Sequence, residues 1–176
     1  NQDNYNFHLV FLSTLLAKQN TPDSIKNIAN EILDKFPKIN SVNVARDMLL
    51  FGKENIEKSI KEAEIANIFY QKNQLNEALV HYKNAIELNP GDYVNYENVG
   101  LILLQKNKPK EAIKYLTQVL DTLKRANLDG KSEYLIGKAY IDVGENSKAC
   151  DYFLKSKNTN NPFGIRFYSE NCGRKN

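Results

Sequence analysis

The 176-residue sequence contains no tryptophan, one methionine, two cysteines and two histidines. The histidines are His8 and His81, and no HExxH, GxSxG or P-loop spacing occurs. The residue sets that support metal-assisted, nucleophilic or phosphoryl chemistry are therefore missing. No catalytic site, metal or cofactor is expected, and the chain is read as not an enzyme. Cys150 and Cys172 do not form a CxxC pair, which argues against zinc or thioredoxin-type chemistry. Arginine is scarce, with 4 against 20 lysines, and the net charge is only +3. A strongly basic nucleic-acid arm is excluded by that balance, and so is an acidic tail. The part from Asn89 onward carries 14 basic against 10 acidic residues, with Lys106, Lys108, Lys110 and Lys114 near one turn. That cluster reads as a solvated edge, and nucleic acid is not an expected partner. No apolar run approaches the roughly 20 residues a membrane span needs. The longest, residues 9–17, is interrupted by Ser13 and Thr14, so this segment is not expected to insert in a membrane. The only methionine is Met48, which leads to the expectation of a processed or truncated product.

Asparagine is abundant, with 24 residues, and apolar residues make up 41%. The apolar residues recur in a longer pattern. Small residues pair twelve apart three times: Ala66 with Ala78, Gly100 with Ala112, Gly137 with Ala149. Four residues after each second member stands Tyr82, Leu116 or Phe153, and three further on Ala85, Val119 or Ser156. Ile65, Val99 and Ile136 precede the first members, and Phe69, Leu103 and Tyr140 follow three residues later. Steps of three and four are the stripe of an amphipathic helix. A small residue on that stripe marks a close approach of two helix backbones, where a larger side chain would open voids around it. Turn formers separate the halves: Asn73 and Gln74, then Asn107 with Pro109, then Gly144 with Asn146. Pro109 suits the first turn of a helix, and Pro90 ends one. The spacing from Ala112 to Ala149 exceeds that from Ala78 to Ala112, which implies a short insertion around residues 123–128.

This pattern resembles the tetratricopeptide repeat (TPR) family, whose motif runs W-x2-L-G-x2-Y…A-x3-F…P. The first copy reads Glu62, Ile65, Ala66, Phe69, Ala78, Tyr82 and Pro90. The second reads Tyr96, Val99, Gly100, Leu103, Ala112 and Leu116. The third reads Glu133, Ile136, Gly137, Tyr140, Ala149 and Phe153. The Trp place never holds Trp, and the closing Pro is absent from the second and third copies. The resemblance implies an all-α, right-handed superhelical solenoid of helix-turn-helix pairs. Three repeats are expected at 59–92, 93–129 and 130–157. Residues 1–58 would form an N-terminal helical extension, with 6–39 readable as a degenerate repeat. Helices are expected at 6–19, 23–36 and 41–51, the last stopped by Gly52, and another from about residue 54. Residues 158–176 would cap the last exposed face, as solenoids require. A Cys150–Cys172 disulfide would pin that cap and add about 3 kcal/mol by loop closure; two free thiols are the alternative. Oxidation would place the protein in the periplasm or another exported location, and free thiols in the cytoplasm.

The resemblance further implies binding on the concave face lined by the first helix of each pair. The residues expected there are Asn67, Tyr70, Gln71, Asn98, Leu101, Gln105, Lys131, Tyr134 and Lys138, alongside Ala63, Val94, Glu97, Leu135 and Asp142. Asparagine and glutamine offer both donors and acceptors and can hold an extended peptide by its backbone. One subfamily clamps a C-terminal carboxylate with two Asn and three basic residues. Asn67, Asn98 and Lys131 match its places, but Ala63 and Leu135 stand where basic residues are needed. The expected function is a non-catalytic scaffold for a peptide or protein segment, with self-association as a further option. The alternative is a domain appended to a larger membrane-anchored protein or enzyme.

Overall fold

The computed structural model describes residues 40–123 and 129–173, together with residue 27. The helices expected at 6–19 and 23–36 and the degenerate repeat at 6–39 lie outside the described residues. So does nearly all of the insertion expected around 123–128. The described residues are helical, in the order α1 (Asn40–Phe51), α2 (Lys53–Gln71), α3 (Leu75–Leu88), α4 (Tyr93–Gln105), α5 (Pro109–Gln118), a π-helical turn (Val119–Leu123), α6 (Lys131–Asp142), α7 (Asn146–Asn158) and α8 (Pro162–Asn171). None is long and apolar enough to cross a membrane, and no group of metal-ligating side chains occurs among the described residues.

The chain folds as an all-α solenoid because each helix pair closes on the same device. The pairs are α2 with α3, α4 with α5 and α6 with α7, and each packs on the next. Within a pair, the small residue of the first helix receives the large residue of the second. A Cβ on Gly100 would stand 2.6 Å from Leu116, and one on Gly137 would stand 2.6 Å from Phe153. Ala66, Tyr82, Leu116 and Phe153 are all buried. Such contact distances leave no room for a further carbon without moving the partner. Ala66, Tyr82, Val99, Ile102, Leu103, Leu116, Ile136 and Ala139 belong to one core that runs from pair to pair.

The turn within each pair is also repeated. Asn73, Asn107 and Gly144 adopt positive φ, at 59°, 56° and 82°. The residue after each bonds back across the helix end: Gln74 N to Phe69 O at 2.9 Å, Lys108 N to Leu103 O at 2.8 Å, Glu145 N to Tyr140 O at 2.9 Å. This is a Schellman closure, which needs a residue that tolerates the left-handed region. Glycine does so freely, and asparagine better than most others. Pro109 occupies the first turn of α5, where a missing N–H leaves nothing unsatisfied. The π-helical turn that follows α5 widens the helix just before the longer connection to α6.

α8 packs against α7 and α6 at the end of the row. Asn161 caps it, accepting from Phe163 N and Gly164 N at 3.0 Å each, and its amide donates to Asp129 O at 2.6 Å. Cys150 of α7 is bonded to Cys172, which directly follows α8, with Cα atoms 5.6 Å apart. At the other end, the adjacent Arg46 and Asp47 of α1 form a buried pair at 2.6 Å. Asn89 Nδ2 donates to Asp47 Oδ2 at 3.4 Å, tying α1 to the turn that closes the first pair.

Candidate binding groove

The first helices of the three pairs, α2, α4 and α6, are joined side by side through polar contacts. Gln105 Nε2 of α4 donates to the Tyr70 hydroxyl of α2 at 2.8 Å. Lys131 Nζ of α6 lies 3.0 Å from Glu97 Oε2 of α4. Ser132 Oγ donates to the other oxygen of Glu97 at 2.5 Å. The second helix also bonds to this row: the Tyr82 hydroxyl of α3 donates to Asn67 Oδ1 at 2.5 Å.

These bonds decide what each group presents. Asn67 is exposed while its carbonyl is occupied by Tyr82, so its amide N–H groups remain for another acceptor. Gln105 donates to Tyr70, which leaves the Gln105 carbonyl and the Tyr70 O–H for a partner. Burial pushes the Tyr82 phenol up from its ordinary pKa, which keeps it a donor toward Asn67. Gln71 is exposed, and Asn98, Leu101 and Lys138 are half-buried. Leu101 packs at the edge of the core. Gln71, Asn98 and Lys138 hydrogen-bond no other member of the expected set.

Two expected residues are committed elsewhere. Tyr134 stacks on Phe163 at 5.2 Å between ring centroids and meets Phe167 edge-on at the same distance. Phe167 also lies 5.5 Å from Phe153. Tyr134 therefore anchors α8 rather than presenting an open ring. Lys131 is held by Glu97, whose side chain is only 3% exposed. Burial raises the Glu97 carboxyl above its ordinary pKa, while Lys131 and Ser132 oppose that rise. Glu133, also buried, is raised by burial in the same way, and its Oε2 has no hydrogen-bond partner. Of the two places where a carboxylate clamp needs further basic residues, Ala63 is half-buried and Leu135 is 3% exposed.

The sequence reading missed Ile60, an exposed apolar residue on the same row. A signal for it exists: Ile60 precedes Asn67 by two helical turns, as the exposed Val94 precedes Leu101 and Lys131 precedes Lys138. Glu62, at the Trp place of the first repeat copy, has its Oε2 2.8 Å from His81 Nδ1 and accepts there from Asn84 Nδ2 at 3.1 Å. His81 in turn stacks on Phe69 at 5.3 Å. Its role is thus to hold α3 on α2.

Residues 66–107 match the family model described as TPR repeat, and residues 96–131 match the one described as tetratricopeptide repeat. Among curated proteins, the chain is 31% identical over 86 residues to Protein STIP1 homolog of Dictyostelium discoideum, a match covering 49% of this chain and 15% of that protein. It is 27% identical over 102 residues to Stress-induced-phosphoprotein 1 of Caenorhabditis elegans, covering 56% of this chain and 32% of that protein. The chain thus spans a third or less of these relatives. Solved structures share the fold. The Arabidopsis OM64 TPR domain superposes with a TM-score of 0.61 at 21% identity, covering 66% of this chain and 95% of that one. The N-terminal domain of stress-induced protein-1 (STI-1) from C. elegans gives 0.59 at 22%, with the same coverage.

Proposed function

Because this chain is built of tetratricopeptide repeats, we propose that it is a non-catalytic interaction module that holds an extended peptide or protein segment along α2, α4 and α6. The observation that carries the reading is the polarity of Asn67. Its carbonyl is bonded to Tyr82, so its amide is turned outward as a donor, matched to a peptide carbonyl. Gln105 and Tyr70 offer the complementary acceptor and donor nearby. Asn98 extends the polar row, and Ile60, Val94 and Leu101 supply apolar contact beside it. Such a surface recognises a backbone and shallow side chains, and offers no nucleophile or general base.

Affinity capture with the wild-type chain and with Asn67→Ala/Asn98→Ala tests this, followed by titration of a synthetic segment from any captured protein. The double variant is expected to lose the segment by about tenfold or more, the worth of one or two hydrogen bonds to a desolvated backbone. A segment bound equally by both forms would contradict groove binding. The second reading, a domain appended to a larger protein, is favoured by the small share of the curated relatives that the match covers. The domain content of the full-length gene tests it.

The Cys150–Cys172 bond supports an oxidising compartment. Alkylation of the protein in intact cells before and after reduction tests the compartment. Full labelling without a reductant would place it in a reducing one.

A further inference from the structure

Two cations stand among the residues assigned to the groove, Lys131 and Lys138, two helical turns apart on α6. Lys131 does not act as a free charge. Its ammonium is 3.0 Å from Glu97 Oε2, and the Glu97 side chain is 3% exposed against 38% for Lys131. The second Glu97 oxygen accepts from Ser132 Oγ. Glu97 is thus fixed from two sides beneath the lysine. It cannot swing into water without leaving both partners.

A ligand approaching along the groove meets a cation whose field is cancelled by the anion directly behind it. A second carboxylate drawn to the same ammonium would stand within a few ångströms of Glu97. At that range, in surroundings partly shielded from water, like charges repel far more than in bulk solvent. The neighbouring clamp places supply no replacement, since Ala63 is uncharged and Leu135 is buried, and the other groove cation, Lys138, is a single half-buried charge about 10 Å farther along α6. Ile60 and Val94, which occupy the place of Lys131 on α2 and α4, are exposed and apolar. The geometry points to Glu97 as a specificity-determining residue: by neutralising Lys131 it selects an uncharged, extended stretch internal to the partner chain and disfavours a free C-terminal carboxylate. This inference rests on the groove reading above.

The test uses two pools of fluorescein-labelled octapeptides randomised over uncharged residues. One pool ends in a free carboxylate, the other in a carboxamide. Each is passed over the immobilised chain. The wild type is expected to retain the acid pool no more than about twofold better than the amide pool. Glu97→Gln keeps an acceptor for Ser132 and frees Lys131, so it is expected to favour the acid pool about tenfold, the worth of one charge-assisted hydrogen bond. Adding Lys131→Gln should abolish that gain. A tenfold acid preference in the wild type overturns the inference, as does a folded Glu97→Gln variant with no gain. Should Glu97→Gln fail to fold, the Glu97→Gln/Lys131→Gln double variant is decisive, because it removes the whole pair and leaves no lone charge: it should leave the wild-type acid-to-amide ratio unchanged, and a fall overturns the inference. Retention of neither pool by the wild type overturns the groove reading itself.

Discussion

Lys131→Ala and Glu97→Gln remove opposite ends of one ion pair, yet their effects on stability should be unequal. In the first variant the Glu97 carboxylate stays where it is, 3% exposed, with Ser132 as its remaining donor. Breaking a fully buried pair in this way costs about 3–5 kcal/mol. Lys131 is more than a third exposed, so solvent already screens part of the attraction. The expected loss is therefore about 2 kcal/mol near neutral pH. In the second variant a neutral amide replaces the carboxylate and can still accept from Ser132, while the lysine turns into water. That change should cost less than about 1 kcal/mol. The pair also fixes a pH dependence. Burial holds the Glu97 pKa above its ordinary value, and the lysine opposes that shift. Removing the lysine raises the folded pKa further. A carboxyl whose folded pKa is raised gives stability that is present in acid and lost as pH rises through that value. The cost of Lys131→Ala should then shrink on going from about pH 8 to about pH 5, while that of Glu97→Gln should not. Urea unfolding followed by far-ultraviolet circular dichroism measures both. Equal losses for the two variants, or a Lys131→Ala loss unchanged between those pH values, would refute the reasoning.

Three further outcomes are expected. Reducing the Cys150–Cys172 bond should cost up to about 3 kcal/mol, and hydrogen exchange should quicken first in α8, the element it tethers; unchanged α8 protection after verified reduction would count against this. Gly137→Val should destabilise by about 2–3 kcal/mol. A Cβ there already stands 2.6 Å from the Phe153 ring and 3.2 Å from Ala149 O, and that ring is backed by Tyr134 and Phe167. The exposed Ser147→Val serves as a control expected within about 0.5 kcal/mol. Burial pushes the Asp47 carboxyl up to about 6 against the pull of Arg46, and burial also raises Asp92 and Glu133. Native Asp47 holds its proton over a window, from about pH 4 to 6, in which the unfolded chain has lost it. Stability should therefore fall as pH rises through that window, and a urea midpoint that climbs from about pH 5 to pH 7 would refute this.

The helix pairs were legible because their packing is written in residue size. Gly100 and Gly137 must be small where Leu116 and Phe153 press on them, and that demand recurs at a spacing a reader can count. The boundary at Gly52 was legible for a related reason, since its φ of 87° suits few other residues. The groove was less legible. Spacing places Lys131 and Glu97 on one row of helices, but it does not say that they meet. That contact depends on how far α6 is rotated against α4, which no spacing within either helix reports. Tyr134 illustrates the same limit. Its periodicity fits the groove row, yet Phe163 and Phe167 of α8 cover it, and those rings come from a helix outside the repeat pattern.

The asparagine surplus has structural uses. Many of these residues occupy places where another side chain would serve worse. Asn73, Asn107 and Asn160 hold left-handed backbone at helix ends. Asn161 caps α8, Asn89 bonds Asp47 and accepts from Gly91 N, Asn95 donates to Asp92, and Asn84 donates to Glu62. A short amide that both donates and accepts, and that tolerates positive φ, suits all of these tasks. Asn67 stands apart. Its one bond is to Tyr82, it stays exposed, and no helix end or cap requires it. Replacing a helix-stabilising asparagine such as Asn161 should lower stability and leave peptide retention in the folded protein unchanged. Replacing Asn67 should cost stability only through the Tyr82 hydroxyl it leaves without an acceptor, about 1–3 kcal/mol, and should lower peptide retention in the folded protein, because what its outward amide lacks in the free chain is a carbonyl.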